Sequence, residues 1–365
     1  MGMNDQPSGD ASTRRFIKLR QGDQGAVGRW IVAILLTIGT LTLLISMVDT
    51  SALAARARLL DWSWTLGSFG FVSLGVVCRA LRLQWLTRTA GNGPSLKSWT
   101  YVASVHQLLF TTLPSGLGDI GFPVLVARTS RIPVTRGALL LIVYRLQDFA
   151  LLLATLSFAL AANSQFISAR IVFLTIGVFG AAISLAVTVR FLQRLAAICS
   201  QRLRPLEHRR LIGKFVRAIE ALDSPAAKRE ADCDVTIESR LLLALLTAAT
   251  WACAVGNYSC LFRFAGLPLP MTHLMLIVGG LNLCGALAAF AIGGIGIGET
   301  ALTGLLFALG HPMAEAVSVS LIVRPAALIS ILMMSGIMAG LCVSPHGQAE
   351  EVKSREDGCP IHTTK

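Results

Sequence analysis

Charged residues are scarce in this chain: only 14% of its 365 residues are Asp, Glu, Lys or Arg, whereas 54% are hydrophobic. Together with a mean hydropathy of +0.66, this shortage of charge excludes an ordinary soluble fold, which needs a more polar surface. Backbone groups in lipid must be satisfied within the chain, and helices do this with their own hydrogen bonds. The composition therefore predicts an all-α polytopic membrane protein.

Motifs for nucleotide, zinc and acyl-transfer chemistry are also missing. The chain has no Gly-x-x-x-x-Gly-Lys-Ser/Thr loop, no His-Glu-x-x-His and no Gly-x-Ser-x-Gly, and its eight cysteines include no Cys-x-x-Cys. We therefore expect no catalytic residue, no metal site, no cofactor and no disulfide framework. ATP-driven transport by this chain alone is not expected either.

What the chain does contain is apolar runs of about the 20 residues that span a bilayer. Eight uncharged runs cover residues 30–48, 62–78, 98–118, 149–169, 171–189, 241–262, 264–298 and 325–344. We expect about six to eight transmembrane helices, in a membrane domain over 29–344. An N-terminal tail of residues 1–28 precedes this domain, and a flexible tail of residues 345–365 follows it.

The net charge of +12 does not indicate a nucleic-acid partner, because the excess lies in segments between apolar runs. Lys and Arg in such segments mark the cytoplasmic side of a membrane protein. The basic N-terminal tail and the basic loop of about 190–240 are therefore predicted to be cytoplasmic. Counting crossings from the N-terminus places both termini in the cytoplasm.

Two glycine-rich breaks interrupt the apolar runs, at Leu113-Pro114-Ser115-Gly116-Leu117-Gly118-Asp119 and at Gly293-Gly294-Ile295-Gly296-Ile297-Gly298-Glu299. Each is followed by an arginine inside the next apolar run, Arg145 and Arg324 respectively. Matching interrupted segments are typical of transporters with inverted repeats and a binding site at the repeat interface.

Crossing order and charge together favour two re-entrant hairpins that form an inverted repeat, the first over about 98–162 and the second over about 264–344. The alternative is eight ordinary crossings with glycine kinks. That alternative would place Arg128, Arg131 and Arg136 outside, against the rule for basic residues.

The breaks also predict a polar cavity. Non-helical backbone at membrane depth survives only where protein or water surrounds it, and a helix that restarts after the glycines presents amides that favour an anionic group. The alternative explanation is that the glycines only allow close packing of helices.

Ionisable residues inside the apolar runs support a cavity, because an arginine at the bilayer centre costs about 2.5–3.5 kcal/mol unless it faces a partner or water. Asp148 lies one helical turn after Arg145, so we expect it to be the partner of Arg145, and such a pair can be purely structural. Arg324 has no neighbouring carboxylate and is expected to be the freer cation. Arg79 is expected at membrane depth, whereas Arg82 is expected to extend to the interface.

The candidate substrate-binding residues come from these features. They are Arg79, Pro114, Ser115, Gly116, Gly118, Asp119, Arg145, Asp148, Gly293, Gly294, Gly296, Gly298, Glu299 and Arg324.

In their order and spacing, Arg79-x-x-Arg82, the two glycine breaks, Arg145-x-x-Asp148 and Arg324 resemble the flippase-like membrane domain of lysylphosphatidylglycerol synthases and its standalone relatives. The similarity covers about residues 25–344. The resemblance implies a lipid translocase of the bacterial inner (plasma) membrane, whose broken segments line a headgroup cavity. The synthase half of the bifunctional enzymes is missing, so aminoacylation of lipid is not expected.

The chain departs from these relatives in two places. Many relatives have a basic residue shortly after each break, whereas this chain has Phe122-Pro123-Val124 after the first break and Gly298 directly before Glu299 in the second. The departure leaves a neutral, zwitterionic or isoprenoid-based lipid open beside an anionic phospholipid.

We therefore expect a lipid translocase, not an enzyme, that moves a phospholipid, glycolipid, or isoprenoid or hopanoid lipid between leaflets through a polar cavity between inverted repeats. Membrane lipids are the expected partners; a lipid-modifying or glycosyltransferase enzyme and a second copy of the chain are further candidates. Three alternatives stay open: a non-catalytic membrane partner of a lipid- or glycan-modifying enzyme, a lipid-headgroup enzyme with Asp119 or Glu299 as general base, and a transporter of small solutes.

Overall fold

The computed structural model describes residues 50–87, 94–113, 117–130, 132–186, 237–287 and 295–343, together with Ile38, Gly39, Thr42 and Ser46. Within these ranges the chain forms ten α-helices and no strand. The helices are α1 (Thr50–Ala57), α2 (Ser63–Leu86), α3 (Leu96–Thr112), α4 (Leu117–Ser130), α5 (Val134–Asn163), α6 (Ile167–Ala186), α7 (Ile237–Phe264), α8 (Met271–Leu287), α9 (Ile297–Ala308) and α10 (Met313–Cys342).

Several predictions concern residues outside these ranges. They are the two tails, most of the apolar run at 30–48, most of the loop at about 190–240, and the site candidates Pro114, Ser115, Gly116, Gly293 and Gly294.

Four of the described helices are long and apolar enough to cross a membrane, over Ser63–Leu86, Arg136–Asn163, Glu238–Phe264 and Met313–Cys342. Shorter apolar helices cover Ile167–Ile183, Met271–Gly285 and Ile297–Ala308. These lengths and compositions confirm the prediction of an all-α, multi-pass membrane protein.

The helices repeat a pattern of four. In α2–α5 a long helix is followed by a helix of 17 residues, a break, a helix of 14 residues and a helix of 30 residues. In α7–α10 the same order recurs, with helices of 17, 12 and 30 residues after the first. We call α2–α5 the first repeat and α7–α10 the second repeat.

A proline starts the last helix of each repeat in the same way. Pro133 has φ −55° and ψ 142°, and Pro312 has φ −56° and ψ 142°. Proline suits this place because its φ is fixed near the helical value and its missing N–H is not needed at a helix start. The two turns into the 30-residue helices are therefore built alike.

The first helices of the two repeats, α2 and α7, pack antiparallel. At one end the Asp61 amide donates to the Phe264 carbonyl at 3.1 Å, and further along Ser68 Oγ donates to Asn257 Oδ1 at 2.6 Å. Near the middle of both helices, a Cβ added to Gly75 would lie 3.4 Å from the Cβ of Cys253. Residue numbers rise along α2 as they fall along α7, which is the relation that an inverted repeat requires.

Each 17-residue helix packs against the last helix of the other repeat as well as against helices of its own repeat: α3 contacts α10, and α8 contacts α5. Gly279 of α8 faces Leu152 and Leu156 of α5, and Met338 of α10 packs on the apolar cluster that contains Trp99 of α3. Glycine at position 279 permits this approach, because a Cβ there would lie 3.3 Å from the Leu156 side chain.

Each repeat has its own apolar core. The core of the first repeat includes Val76, Trp99 and Leu140, and that of the second includes Leu261 and Leu302. Burial of such side chains contributes roughly 1.5–3 kcal/mol each in water. In lipid the close packing of these side chains provides more of the stabilisation.

Two uncharged runs extend past the end of a helix, as the order of crossings predicts. Counting crossings places a loop at Asn163-Ser164-Gln165 within the run at 149–169, and α5 ends at Asn163 and α6 begins at Ile167. It also places a short connection at 263–272, where the chain turns at Gly266, whose φ of 70° suits glycine, before α8 begins. Both connections are confirmed. The short helix α1 lies between the runs at 30–48 and 62–78 and was not predicted.

Candidate functional site

A cavity of about 580 Å³ lies between the two repeats. Its wall is formed by α2, α3, α4 and α5 from the first repeat and by α7, α8 and α10 from the second. Five of the predicted site residues line it. They are Arg79, Asp119, Arg145, Asp148 and Arg324.

In the first repeat Asp119 and Arg145 form an ion pair on the cavity wall. Arg145 Nε donates to Asp119 Oδ2 at 3.1 Å, and Arg145 Nη2 donates to Oδ1 of the same carboxylate. His106 Nε2 lies 3.1 Å from that Oδ1, and the Arg145 guanidinium stacks on the ring of Phe110 at 4.6 Å. The two parallel bonds fix the guanidinium plane, as bidentate pairs do.

The prediction that Asp148 is the partner of Arg145 is therefore wrong. Asp148 Oδ1 instead accepts from Arg82 Nη1 at 2.6 Å. Spacing along α5 shows only that Arg145 and Asp148 share a face of that helix. Their partners come from α4 and α2, which local spacing cannot reveal.

The prediction that Arg82 extends to the interface is also wrong, because its side chain is 0% exposed. Besides Asp148, Arg82 donates to Gln147 Oε1 at 3.1 Å and to the Tyr144 carbonyl at 2.7 Å, and it lies over the Tyr144 ring. A buried charge needs such a set of partners to offset its lost hydration. This network joins α2 to α5 next to the cavity.

Arg79 lies on the cavity wall, one helical turn before Arg82 on α2. Its Nη1 donates to Gln107 Oε1 on α3. Gln107 is neutral, so this bond orients the guanidinium without cancelling its charge.

In the second repeat Arg324 is bound to a neutral residue as well. Its Nη1 donates to the Tyr258 hydroxyl at 2.7 Å, and no described residue is a hydrogen-bond partner of its buried Nε. Among the residues that the structure describes, no carboxylate forms an ion pair with Arg324. The guanidinium packs directly on Gly298 of α9, where an added Cβ would lie 2.7 Å from Nε.

Glu299, the acidic residue of the second break, caps its own helix instead. Its Oε2 accepts from the Gly296 amide at 2.5 Å, and the residue is only 2% exposed. Gly296 has φ 86°, a left-handed conformation that glycine adopts without strain. The turn at Gly296 thus holds the Glu299 carboxylate at the start of α9.

These residues occupy equivalent positions in the two repeats. Gly118 and Gly298 are the second residues of α4 and α9, Asp119 and Glu299 are the third, and Arg145 and Arg324 are the twelfth residues of α5 and α10. The acid and the base at these equivalent positions are bonded to each other in the first repeat, whereas in the second no ion pair joins Glu299 and Arg324, and Glu299 caps its own helix.

The charges on the cavity wall do not cancel. Asp119 is paired with Arg145, and Asp148 with Arg82. Two arginines, Arg79 and Arg324, remain with only neutral partners among the described residues. An uncompensated arginine in a polar pocket suits an anionic group, because its planar fork binds oxygens in pairs.

The rest of the wall mixes polar and apolar side chains. Asn257, Asn282 and Thr250 lie on it beside Trp251 and Phe149. A wall of this kind can accept a polar group that carries an apolar attachment.

Sequence reasoning missed Gln107 and Tyr258, which orient the two arginines, and it left His106 out of the site. The rarity of tyrosine was one available signal for Tyr258. The chain has only three tyrosines, and two of them, Tyr144 and Tyr258, line the cavity.

Four other predicted site residues are described but do not line the cavity: Gly118, Gly296, Gly298 and Glu299. Gly118 and Gly298 act behind the wall by allowing close packing, whereas Gly296 forms the turn before α9. Gly118 lies against the backbone of Phe110, where an added Cβ would be 2.8 Å from the Phe110 Cα. In the described ranges no three His, Cys, Asp or Glu side chains are grouped as a metal ion would need.

A family model described as Lysylphosphatidylglycerol synthase TM region matches residues 30–335. The matched residues include every described residue of the cavity wall. Neither a curated protein nor a solved structure matches the chain.

Proposed function

Because this chain belongs to the lysylphosphatidylglycerol synthase TM region family, we propose that it is a lipid translocase of the inner (plasma) membrane, which moves an amphiphilic lipid between leaflets. Membership makes it a membrane protein related to lipid modification or translocation. The substrate class in this proposal is a phospholipid, glycolipid or isoprenoid lipid, and membrane lipids are its partners.

The observation that carries the proposal is the cavity itself, in which both repeats supply arginines at membrane depth. A polar headgroup that crosses hydrocarbon without partners pays a large desolvation cost. Arg79, Arg145 and Arg324 offer compensating contacts along one continuous wall. The volume of about 580 Å³ lies in the range of small-ligand sites, so it can hold a headgroup while the acyl or isoprenoid chains stay in the bilayer.

The difference between the repeats supports an alternating mechanism. Inverted repeats expose a central site to each side in turn when they exchange conformations. In this structure the acid and base are bonded in the first repeat and apart in the second. An exchange would bond Glu299 to Arg324 and release Arg145 from Asp119, so that the available arginine passes from one repeat to the other with the headgroup.

The membrane arrangement in this proposal has two re-entrant hairpins, α3–α4 and α8–α9, and both termini in the cytoplasm. The lengths of these helices support it. At 1.5 Å per residue, 17 residues extend about 26 Å and 12 residues about 18 Å, short of the roughly 30 Å of the hydrocarbon core. The helices on either side of each hairpin are long enough to cross.

The test is a leaflet assay with purified protein in vesicles that contain one labelled phospholipid, glycolipid or isoprenoid lipid at a time. The wild type should redistribute at least one class faster than empty vesicles, and Arg324→Gln should slow that movement at least tenfold. Arg170→Gln is the matched control, because Arg170 is exposed at the start of α6 and lies off the cavity wall. Movement of no lipid class above the empty-vesicle rate would reject the proposal.

The same variants distinguish the translocase from the alternative in which the chain only assists a lipid- or glycan-modifying enzyme. That role predicts that Arg324→Gln leaves the pathway product unchanged in cells. Loss of the product in Arg324→Gln cells, with normal protein levels, would favour the translocase.

A further inference from the structure

His106 is a titratable residue of the cavity wall that the mechanism above does not use. It is 8% exposed, and its ring packs edge-on against Phe122 with centroids 4.8 Å apart. Its Nε2 lies 3.1 Å from Asp119 Oδ1. Asp119 is kept ionised by its two bonds from Arg145, so its carboxylate can only accept and Nε2 carries the hydrogen. Nδ1 is then the ring atom at which a further proton can bind.

The second repeat shows that packing alone does not require an imidazole at this place. His106 is the eleventh residue of the 17-residue helix α3, and Leu281 is the eleventh residue of the 17-residue helix α8. Leu281 also lines the cavity and is also 8% exposed. The first repeat therefore has a titratable group where the equivalent position of the second has a purely apolar one.

The charges around His106 decide when it can hold a proton. The charged groups that act on it are Asp119 of α4, Arg145 of α5 and Arg79 of α2; of the described residues, those of α10, which also packs against α3, add none. Asp119 and Arg145 cancel, and Arg79 is bonded to neutral Gln107. A proton on His106 would place a second uncompensated positive charge in this part of the wall, which a poorly solvated site disfavours.

An anion in the cavity reverses this balance. A singly charged phosphate group next to Arg79 and Arg145 compensates one positive charge and attracts another, so it favours the protonated imidazole. Linkage is reciprocal, and a proton on His106 strengthens anion binding by the same factor. The bound anion and the proton on His106 therefore stabilise each other in this site.

We propose that His106 is a proton-binding site that is loaded together with the anionic headgroup, so that lipid movement is coupled to a proton. The proton binds to the Nδ1 lone pair of the neutral imidazole on the side where the headgroup enters, and it leaves the imidazolium when the headgroup departs. This N–H bond forms as an O–H bond of hydronium on the entry side breaks, and it breaks again when water takes the proton on release. The inference rests on the proposed function for its ligand, and the two can fail separately.

The binding test uses the full-length protein in detergent with dimethyl phosphate as probe, because the charge of this diester does not change near neutral pH. Calorimetry in buffers of different ionisation enthalpy measures the protons taken up with each anion. The wild type should take up about one proton, and its affinity should rise up to about tenfold for each unit fall in pH.

Two variants make this result specific. His106→Gln keeps an N–H donor for Asp119 but cannot bind a proton, so its affinity for dimethyl phosphate should no longer change with pH. His311→Gln is the control, since His311 contacts Glu315 outside the cavity, and it should keep the pH dependence of the wild type. If His106→Gln does not fold, His106→Leu, which copies Leu281, replaces it.

The transport test imposes a pH gradient on vesicles and follows labelled phospholipid. A gradient should drive phospholipid toward one leaflet with the wild type and not with His106→Gln. Lipid movement without a gradient effect, with probe binding that does not depend on pH, would overturn the proton site and leave the translocase intact. Proton uptake with the probe but no lipid movement would support the site and reject the translocase. Failure of the probe to bind at any pH would also overturn the proton site, because the inference requires an anion.

Discussion

Arg145 and Arg324 occupy the same place in their helices, the twelfth residue of α5 and of α10, but they have different partners. Arg145 is bonded to the carboxylate at the third residue of the preceding helix, Asp119. The corresponding carboxylate, Glu299, caps its own helix, and Arg324 donates to Tyr258 instead. One architectural unit is thus present in two arrangements within a single chain, and the predictions below test the contacts that define them.

Gly298→Ala should impair both stability and lipid movement. The new Cβ would lie 2.7 Å from Arg324 Nε and 2.8 Å from its Cζ, so the guanidinium must leave its bond to Tyr258. We expect a lower midpoint of thermal unfolding and a loss of at least tenfold in the leaflet assay.

The control for this change is Gly304→Ala in the same helix. Within the part of the chain that the structure describes, an added Cβ at Gly304 meets nothing within 4 Å, and alanine in a helix is more favourable than glycine by about 0.4–1 kcal/mol. Gly304→Ala should therefore unfold at the same or a higher temperature and keep full movement. Equal effects of the two substitutions would contradict the packing of Arg324 on Gly298.

Asp148→Asn should destabilise the protein by about 3–5 kcal/mol, because it leaves the charge of the buried Arg82 without its counter-ion. Chemical unfolding monitored by tryptophan fluorescence measures the free energy. The variants Arg82→Met and Asp148→Leu complete the test. When they are combined, the loss in free energy of unfolding should be smaller than the sum of the losses caused by each alone, since the double variant removes both charges of the pair. An additive result would show that the bond between Arg82 and Asp148 contributes little.

A disulfide should form between Gly75→Cys and the native Cys253 in a Cys78→Ala background. The Cβ of residue 75 lies 3.4 Å from that of Cys253, close to the roughly 3.5–4.5 Å of natural disulfides. After cleavage at a protease site inserted at about residue 200, the oxidised protein should run as one band and the reduced protein as two.

The matched control is Gly70→Cys, on a part of α2 where an added Cβ meets no described atom within 4 Å. It should not cross-link. Cross-linking of Gly70→Cys with Cys253, or none with Gly75→Cys, would be incompatible with the antiparallel packing of α2 on α7.

The loops after the two hairpins should lie on opposite sides of the membrane. In a variant without native cysteines, Met313→Cys should react with an impermeant maleimide added to intact cells. Arg128→Cys should react only after the membrane is opened. Labelling of both positions from the same side would rule out the inverted arrangement and favour eight ordinary crossings.

The sequence was sufficient to predict the helical membrane class and five residues of the cavity wall. Long apolar runs mark α2 and α7, and the recurrence of a glycine break before an arginine points to Arg145 and Arg324 together. Hydropathy alone does not mark the loop between α5 and α6, because uncharged residues continue through it, but the order of crossings predicts a break at residues 163–165. Hydropathy reports the environment of a segment but not where its backbone bends.

Partners were harder to predict than positions. Arg145 was assigned to Asp148 because helical spacing is the only contact that one sequence makes visible, whereas its partner Asp119 lies on another helix. Arg82 was expected at the interface because it is near the end of an apolar run, but Gln147, Asp148 and the Tyr144 carbonyl form a buried site for it. Such sites arise from several helices at once and leave no local pattern.

The contacts of α3 and α8 across the repeats set the order in which a ribosome can complete this molecule. Besides α2 and α4 of its own repeat, α3 packs against α10, which ends at Cys342, so the amino-terminal half gains its last packing partner only when synthesis is almost finished. A nascent chain that stops after α9 can pack α8 against α5, but its α3 lacks α10. Quality control in the membrane would therefore meet one unit, not two halves that mature independently.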